Sequence, residues 1–231
     1  MLPGLFEFAW LIYPRCCEAC GNGLNQTEKD ICLSCLLHLP KTGFHASGFN
    51  PLRNVLKGRL TAETVTAYFF FDKRSRVQRM LHGIKYKGKK ELASTIGEWY
   101  GHELKDCRWA EAVDVIVPVP LHPAKQAVRG YNQSEAFAAG LSRSLGTELD
   151  VTHLYRNSNS STQTRKTRLE RWENVHSIFE VRDPEFFRGK SVLLVDDVIT
   201  TGATLEACGQ VLQEHGAASL HIAAIACALK I

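Results

Sequence analysis

Long apolar runs are missing from this sequence of 231 residues, and their absence argues against a transmembrane helix. The N-terminal stretch 1–13 is apolar and aromatic, but Glu7 interrupts it, and it has neither a basic start nor a small-residue cleavage site. We therefore expect a short packing helix there rather than a signal peptide. The expected protein is cytoplasmic and is not an integral membrane protein.

Net charge is also low, with a formal value of +4 at pH 7. A surplus this small does not by itself indicate a nucleic-acid partner. The basic residues are nevertheless concentrated in two blocks, 72–90 and 156–171, where they far outnumber the acids. Each block is compatible with a solvated surface and with a surface that faces phosphate groups.

There is no internal repeat, no Ser/His/Asp arrangement for nucleophilic catalysis and no ligand spacing among the histidines. What is present is an alternation of strand and helix patterns. Such alternation predicts an α/β fold with a parallel sheet covered by helices on both faces. The predicted strands are 64–72, 113–119, 149–155, 191–195 and 220–229, and the predicted helices are 76–87, 91–104, 133–145 and 203–215.

The clearest strand leads into a segment suited to a phosphorylated sugar. It reads SVLLVDDVITTGAT, with four apolar residues followed by Asp196 and Asp197. The carboxylates could accept hydrogen bonds from sugar hydroxyls, while free amides at the start of the next helix favour an anion. The alternative is that Thr200 caps the helix and both acids are solvated. The phosphate-binding candidates are Thr200, Thr201, Gly202, Ala203 and Thr204.

A second loop follows the strand 113–119 and reads PVPLHP before AKQAVRGYNQ. Its prolines stiffen the turn and remove N–H donors. Arg129 offers a planar fork for phosphate oxygens, and Lys125 adds a point charge. Asn132 or Ser134 could cap the helix that follows. The alternative is a rigid loop in which Arg129 meets an acid or solvent.

The cysteines near the N-terminus form two CxxC pairs, Cys17 with Cys20 and Cys32 with Cys35. Two such pairs at this separation predict a tetrahedral zinc site with four cysteine ligands, and the metal would supply the folding energy of so short a segment. A redox dithiol and buried thiols are the alternatives, and Cys16 could replace Cys17. We expect one unit over 1–45, made of the apolar helix and the zinc ribbon, and a second over 46–231.

Two of these motifs resemble known families. VLLVDDVITTGAT resembles the signature with which type I phosphoribosyltransferases bind 5-phosphoribosyl diphosphate (PRPP). This resemblance implies that Asp196 and Asp197 bind the ribose hydroxyls and act in catalysis, while the loop 200–204 holds the 5-phosphate. VPVPLHP followed by RGYNQ resembles the ComF family, a competence-associated branch of the phosphoribosyltransferase-like proteins.

The ComF resemblance extends over almost the whole chain and implies further roles. It places Pro120, Leu121 and His122 near the diphosphate of the ligand, with Arg129 and Gln133 nearby. An IKYKG-like element brings Lys85 and Lys87 toward the site, and the family carries an N-terminal zinc ribbon after an apolar helix. The segment 162–179 resembles a mobile loop of the family whose cations could meet a diphosphate or nucleic acid: Arg165, Lys166, Arg168 and Arg171.

Two functions follow from the resemblance. One is a module that binds PRPP or a ribose 5-phosphate group with Mg²⁺ and acts in DNA uptake during natural transformation, with single-stranded DNA and the uptake machinery as partners. The other is an active phosphoribosyltransferase of nucleotide metabolism whose acceptor base is unknown. A retained signature indicates a ligand site and does not establish turnover.

Overall fold

The structure is a computed structural model that describes residues 15–47, 50–157 and 178–229. The helix expected over 1–13 and the basic part of the loop 158–174 lie outside the described residues. That part of the loop contains Arg165, Lys166, Arg168 and Arg171.

Five parallel strands form the central sheet, in the order β1-β7-β6-β2-β3. Two further strands, β4 and β5, form a separate antiparallel pair. The strands are β1 (Thr64–Phe70), β2 (Val115–Pro118), β3 (Glu148–Leu149), β4 (Leu154–Arg156), β5 (Phe179–Val181), β6 (Ser191–Ile199) and β7 (Ser219–Cys227).

Helices connect the strands and cover both faces of the sheet. A 3-10 helix spans Pro51–Val55 within the segment 41–60, for which an irregular connection was expected. The helices are α1 (Leu33–His38), α2 (Arg76–Tyr86), α3 (Lys90–Leu104), α4 (Arg108–Glu111), α5 (Pro123–Arg129), α6 (Gln133–Leu145) and α7 (Ala203–Glu214). None of the described helices is both long and apolar enough to cross a bilayer.

Side chains of β6 alternate between two apolar cores, as a strand buried on both faces requires. Leu193 and Val195 pack with residues of α2, α3 and α6. Val192 and Leu194 pack on the other face with residues of α7 and the 3-10 helix. The predicted parallel sheet with helices on both faces is therefore confirmed.

The strand predicted over 149–155 is wrong, because the chain turns in its middle. Asp150 is buried and accepts hydrogen bonds from the backbone N–H groups of Thr152 and His153, at 3.1 Å in each case. An Asp side chain that bonds the backbone two or three residues later favours a turn over a strand. The chain thus leaves the main sheet after Leu149 and enters the β4–β5 pair at Leu154.

The strand predicted to end at Val195 continues to Ile199. Its pairing with β7 extends to that residue, whereas its pairing with β2 ends at Val195. From Asp196 onward β6 therefore projects past β2, and the edge on that side is open. Because of this projection, Asp196 and Asp197 lie on the strand, beside a cavity at this edge of the sheet, and not in the loop 200–204.

The cysteine-rich segment packs directly against the rest of the protein. Cys17, Ile31 and Cys35 belong to the same apolar core as Met80 and Ile84 of α2. Immediately after this segment, the chain pairs with β1 through an antiparallel bridge between Lys41 and Phe69. The expected division of the chain after residue 45 stays a prediction.

Candidate phosphoribosyl site

A cavity of about 510 Å³ opens at the carboxyl ends of β2 and β6. In parallel sheets covered by helices, ligands bind at this edge. The residues around it come from four helices, the strand ends and the loops between them. They are Phe71, Gln78, Leu81, His82, Lys85, Tyr86, Val119, Pro120, Leu121, Lys125, Arg129, Asn132, Gln133, Ser134, Arg156, Asp196, Asp197, Val198, Thr200 and Thr204.

The two acids on β6 have different partners within the cavity. Lys85 Nζ lies 3.0 Å from each carboxylate oxygen of Asp197. The Ser134 hydroxyl donates to Asp196 Oδ1 at 3.1 Å, and the backbone N–H of Asp197 donates to the same oxygen at 2.7 Å. Asp197 is thus charge-paired, while Asp196 is held by uncharged donors.

Burial, together with the negative charge of Asp197, raises the pKa of Asp196 from 3.8 to about 7. The hydrogen bonds from Asp197 N–H and Ser134 act in the opposite direction but do not offset burial. Near neutral pH the pair therefore shares less than two full negative charges. An incoming phosphorylated sugar meets correspondingly less repulsion.

The loop 200–204 presents the start of α7 to the cavity. Gly202 precedes the helix with a φ of 75°, a left-handed conformation that favours glycine. Among the described residues no side chain caps this position, and the Thr201 hydroxyl accepts only a long 3.5 Å contact from Ala203 N–H. The helix start therefore keeps amide donors for an anion.

Asn132 ties the second loop to the start of α6. Its side chain caps α6 by accepting from Ser134 N–H at 3.1 Å and donates to the Val119 carbonyl at 3.0 Å. Of the two capping candidates, Asn132 caps α6, because the Ser134 hydroxyl donates to Asp196 instead. The prolines of this loop lead into α5, a helix that the sequence patterns had not predicted.

Arg129, at the end of α5, donates to Gln133 Oε1 at 2.9 Å. Gln133 Nε2 is buried without a hydrogen-bond partner among the described residues. In this contact Arg129 is paired with an uncharged amide and not with an acid. An unsatisfied buried donor beside a cavity favours an oxygen-rich occupant or a water molecule.

Helix α2 carries Lys85 to the cavity and is fixed at its carboxyl end. The Tyr131 hydroxyl donates to the Ile84 carbonyl, and burial raises the pKa of that tyrosine to about 12. The Ser75 side chain caps the other end by accepting from Gln78 N–H at 3.1 Å. Lys85 therefore reaches Asp197 from a capped helix whose carboxyl end is held by Tyr131.

Nine predicted site residues lie around the cavity: Lys85, Pro120, Leu121, Arg129, Gln133, Asp196, Asp197, Thr200 and Thr204. Five others are not among the described residues that line it: Lys87, His122, Thr201, Gly202 and Ala203. His122 instead caps α5, since its Nδ1 accepts from Ala124 N–H at 3.1 Å. Lys87 lies exposed just after α2.

Arg156 was noted in the sequence only as part of a basic block, yet it lines the cavity. Its Nε is buried without a hydrogen-bond partner among the described residues, and its guanidinium lies 5.4 Å from the ring centre of Phe179. The only sequence signal was a cation between a strand pattern and a polar loop. That signal does not show on which side of the sheet the cation lies.

The four cysteines of the CxxC pairs come together as a metal site requires. Their sulfurs all lie within 4.8 Å of one another, and those of Cys20 and Cys32 are 3.8 Å apart. Tetrahedral zinc with Zn–S bonds of about 2.3 Å needs sulfurs roughly 3.8 Å apart. The group could therefore hold a metal such as zinc. Cys16 is exposed and is not part of this group.

Backbone donors surround these sulfurs. Cys32 N–H donates to Cys17 Sγ at 3.3 Å, and Cys35 N–H donates to Cys32 Sγ at 3.4 Å. Burial alone would raise the pKa of Cys17, but backbone hydrogen bonds outweigh it and lower that pKa to about 7. The pKa values of Cys32 and Cys35 are instead raised, that of Cys35 mainly by burial. Backbone donors such as those at Cys17 favour the thiolate form, which is the form that binds metals.

Comparison with known proteins adds the family. The phosphoribosyl transferase domain model matches residues 132–229. DNA utilization protein YhgH of Escherichia coli K12 is 27% identical over 209 residues, which cover 89% of this chain and 87% of that protein. Competence protein F of Haemophilus influenzae is 30% identical over 159 residues, or 67% of this chain and 62% of that protein. Competence protein ComFC of Bacillus subtilis is 32% identical over 105 residues, or 46% of this chain and 40% of that protein.

These relatives and the matched domain support a ComF-family phosphoribosyltransferase-like protein. The matched domain segment contains the acids of β6, the loop 200–204 and the start of α6. Lys85, the loop after β2 and the four cysteines lie outside that segment. Residues before the matched segment therefore complete the wall of the cavity.

Proposed function

We propose that the cavity binds PRPP, or another ligand with a ribose 5-phosphate group, together with Mg²⁺. One observation carries the proposal. A single cavity is lined by the paired acids of β6, by Thr200 and Thr204 on either side of the start of α7, and by the cations Lys85 and Arg129. Each of these three features suits one part of a phosphoribosyl diphosphate.

Each part of the ligand has a chemically suitable neighbour. The loop 200–204 would hold the 5-phosphate through backbone amides and hydroxyls. Asp196 and Asp197 would accept hydrogen bonds from the ribose hydroxyls, while Lys85 and Arg129 would face the diphosphate. Carboxylate and diphosphate oxygens are the ligands that Mg²⁺ prefers, and the ion would neutralise part of the diphosphate charge.

Calorimetric titration of the full chain with PRPP and Mg²⁺ tests this proposal. We expect saturable binding that Asp197→Asn weakens at least about tenfold, because the amide cannot offer two anionic acceptor oxygens to the sugar and Lys85. Asp106→Asn, which changes an exposed acid outside the cavity, is the matched control. No binding of any phosphorylated ribose would refute the proposal.

Turnover is the stronger form of this function. In a phosphoribosyl transfer, the bond from C1 of ribose to the diphosphate breaks, pyrophosphate leaves with the electron pair, and C1 bonds to an acceptor nitrogen, which releases its proton to pyrophosphate or solvent. Positive charge develops on the ring, and Asp196 and Asp197 would offset it while Lys85 and Arg129 stabilise the departing pyrophosphate. Steady pyrophosphate release in the presence of a base, lost in Asp197→Asn, would support an enzyme.

A second cleft favours DNA as a further partner. It adjoins the main cavity and has a volume of about 360 Å³. Tyr86 and Val128 line it with 66% and 88% of their surface exposed, and the Arg129 guanidinium lies 5.5 Å from the centre of the Tyr86 ring. Lys85 and Lys125 complete its wall. Aromatic rings beside cations are typical of surfaces that bind single-stranded nucleic acid.

This second function is a module that binds single-stranded DNA during uptake and works with the uptake machinery in the cytoplasm. The relatives named for DNA utilization and competence support it. Fluorescence anisotropy with a labelled oligonucleotide should show salt-sensitive binding that Tyr86→Ala and Lys125→Gln weaken and Asp197→Asn leaves intact. Leu37→Ala, at an exposed apolar residue of α1, is the control. Equal binding by all variants would refute the role of the cleft.

The cysteine site is proposed to hold one structural Zn²⁺ within the N-terminal unit 1–45. The sulfur spacing and the backbone donors around it support this assignment. Elemental analysis of purified protein should find one zinc per chain, and Cys20→Ser should lose it. Cys16→Ser, at the neighbouring exposed cysteine, should keep the metal.

A further inference from the structure

The phosphate loop is packed against a distant part of the chain. A Cβ atom on Gly202 would lie 2.7 Å from Leu56 Cδ2 and 3.1 Å from Val55 Cγ1. Both neighbours belong to the segment that precedes β1, far from the loop in the sequence. The conformation of the loop is thus limited from outside by a surface that the matched domain segment does not include.

Arg59 makes the polar part of this contact. Its Nη2 donates to the Thr201 carbonyl at 2.7 Å and also to the Val55 carbonyl. Its Nη1 lies 2.6 Å from Glu206 Oε2. One planar guanidinium therefore joins the phosphate loop, the start of α7 and the segment before β1. A guanidinium can satisfy several fixed acceptors at once, which an ammonium group cannot do in the same geometry.

Charge adds a second reason for this arrangement. Glu206 lies in the first turn of α7, where a carboxylate would compete with an incoming phosphate for the positive end of the helix. Its pairing with Arg59 holds that carboxylate beside the segment before β1. The contact is extended along α7, because Gln210 Nε2 donates to the Arg59 carbonyl at 3.2 Å.

We propose that Arg59 is a positioning residue for the 5-phosphate, a role that rests on the proposed function of the cavity. Arg59 is not among the described residues that line the cavity, so it acts through the Thr201 carbonyl and the backbone of the loop. Its loss lets the loop rotate, and the amides at the start of α7 no longer converge on one phosphate.

This role predicts a loss that is specific to one ligand. Ribose 5-phosphate and inorganic pyrophosphate are each titrated into the full chain with Mg²⁺ present. Arg59→Ala lowers the affinity for ribose 5-phosphate on the order of tenfold, since misplacement of a binding group is costly. The affinity for pyrophosphate stays within about twofold of its original value. Arg53→Ala, at an exposed arginine of the same segment, leaves both affinities unchanged.

Arg59→Lys is a second variant that tests the same role if Arg59→Ala fails to fold. It keeps a positive charge beside Glu206 but cannot bond the Val55 and Thr201 carbonyls in one plane. It should melt like the unmodified protein and still lose ribose 5-phosphate affinity about threefold, because one charge-assisted hydrogen bond is weakened.

Two results would overturn the positioning role. One is a folded Arg59 variant that binds ribose 5-phosphate as well as the unmodified protein does. The other is an equal loss for both ligands, which would indicate general damage to the cavity. An unmodified protein that binds neither ligand would instead refute the proposed function, and the role of Arg59 with it.

Discussion

The loops that follow β6 and β2 lie side by side at one edge of the sheet, yet they offer an anion different groups. The loop 200–204 has no lysine or arginine, and its donors are the amides and hydroxyls before α7. The segment 118–129, from the end of β2 through α5, has prolines at 118, 120 and 123, and its positive charge comes from Lys125 and Arg129.

The two loops therefore depend on different properties to bind an anion, one on backbone conformation and the other on side-chain charge. Amide donors exist only in the correct backbone conformation, so the first loop depends on φ and ψ and on the packing around it. Side-chain cations keep their charge when the backbone shifts, so the second loop depends on charge and tolerates backbone change. The two loops should therefore respond differently to substitution, pH and salt.

The largest expected difference comes from adding a methyl group to one glycine of each segment. Gly202→Ala has to accept a left-handed φ of 75° and a clash with Leu56, at a combined cost of about 2–5 kcal/mol. The free energy of unfolding from urea titration should fall by that amount. Binding of ribose 5-phosphate should be lost.

Gly130→Ala is the matched control. This glycine ends α5 with a φ of 79°, but among the described residues no atom outside its chain neighbours lies within 4 Å of where its Cβ would be. It should cost only about 1–2 kcal/mol, the conformational part of the penalty. Equal losses at both glycines would contradict the view that packing specifies the first loop.

Arg129→Gln should give the next largest effect, and it should affect pyrophosphate rather than ribose 5-phosphate. Loss of a charged donor weakens pyrophosphate binding by roughly tenfold, because hydrogen bonds to charged groups contribute about 1.5–3 kcal/mol. Ribose 5-phosphate binding and the melting temperature should change little. Calorimetry of both ligands measures this, with Arg188→Gln at an exposed surface pair as control. A larger loss for ribose 5-phosphate would reverse the assignment of the two loops.

The pH dependence of stability should show a smaller effect at Asp196. Burial and the charge of Asp197 raise its folded-state pKa to about 7, so the folded protein binds this proton more tightly than the unfolded chain does. Its contribution therefore favours folding at low pH and is lost as the pH rises from about 4 to about 7.

Asp196→Asn should flatten that part of the stability profile by about 1 kcal/mol, since Asp196 keeps some exposure to solvent beside the cavity and solvent reduces the difference. Urea denaturation between pH 4 and pH 8 measures the change, and Asp106→Asn at an exposed acid is the control. A profile that keeps its slope in Asp196→Asn would place the titrating group elsewhere.

Salt should produce the smallest difference between the loops. Exposed cations are screened by ions, whereas amides at a helix start are screened less because they are fixed and partly enclosed. Raising the salt concentration from about 0.05 to about 0.3 M should lower the affinity for pyrophosphate about two- to threefold more than the affinity for ribose 5-phosphate. Identical salt dependence for the two ligands would remove this distinction.

Much of the fold could be predicted because its elements follow local patterns. The helix predicted over 76–87 is confirmed as α2, with its apolar positions Val77 and Met80 buried. The end of β6 was missed because the open edge beyond β2 depends on the neighbouring strand. The turn at Asp150 was missed because the alternating apolar residues of 149–155 resemble a strand, although Asp150 is itself a residue type that favours turns.

In the candidate site, too, features with a local sequence pattern could be predicted, and features that depend on distant segments could not. Asp196, Asp197 and the loop 200–204 are contiguous in the sequence, so their pattern was recognisable without a structure. The contacts of Lys85 with Asp197 and of Ser134 with Asp196 span long stretches of chain. Arg59 and Arg156 carried no local signal for their positions.

The sequence by itself determined most of the alternation of strands and helices, the two CxxC pairs and the acid-to-glycine segment 196–202, because each depends on residues within one turn or strand. Only the tertiary structure decided which cations meet the acids, which arginine supports the phosphate loop and where the sheet edge opens. Those features arise when distant segments pack together, and side-chain direction at that distance is set by the whole core rather than by any local pattern.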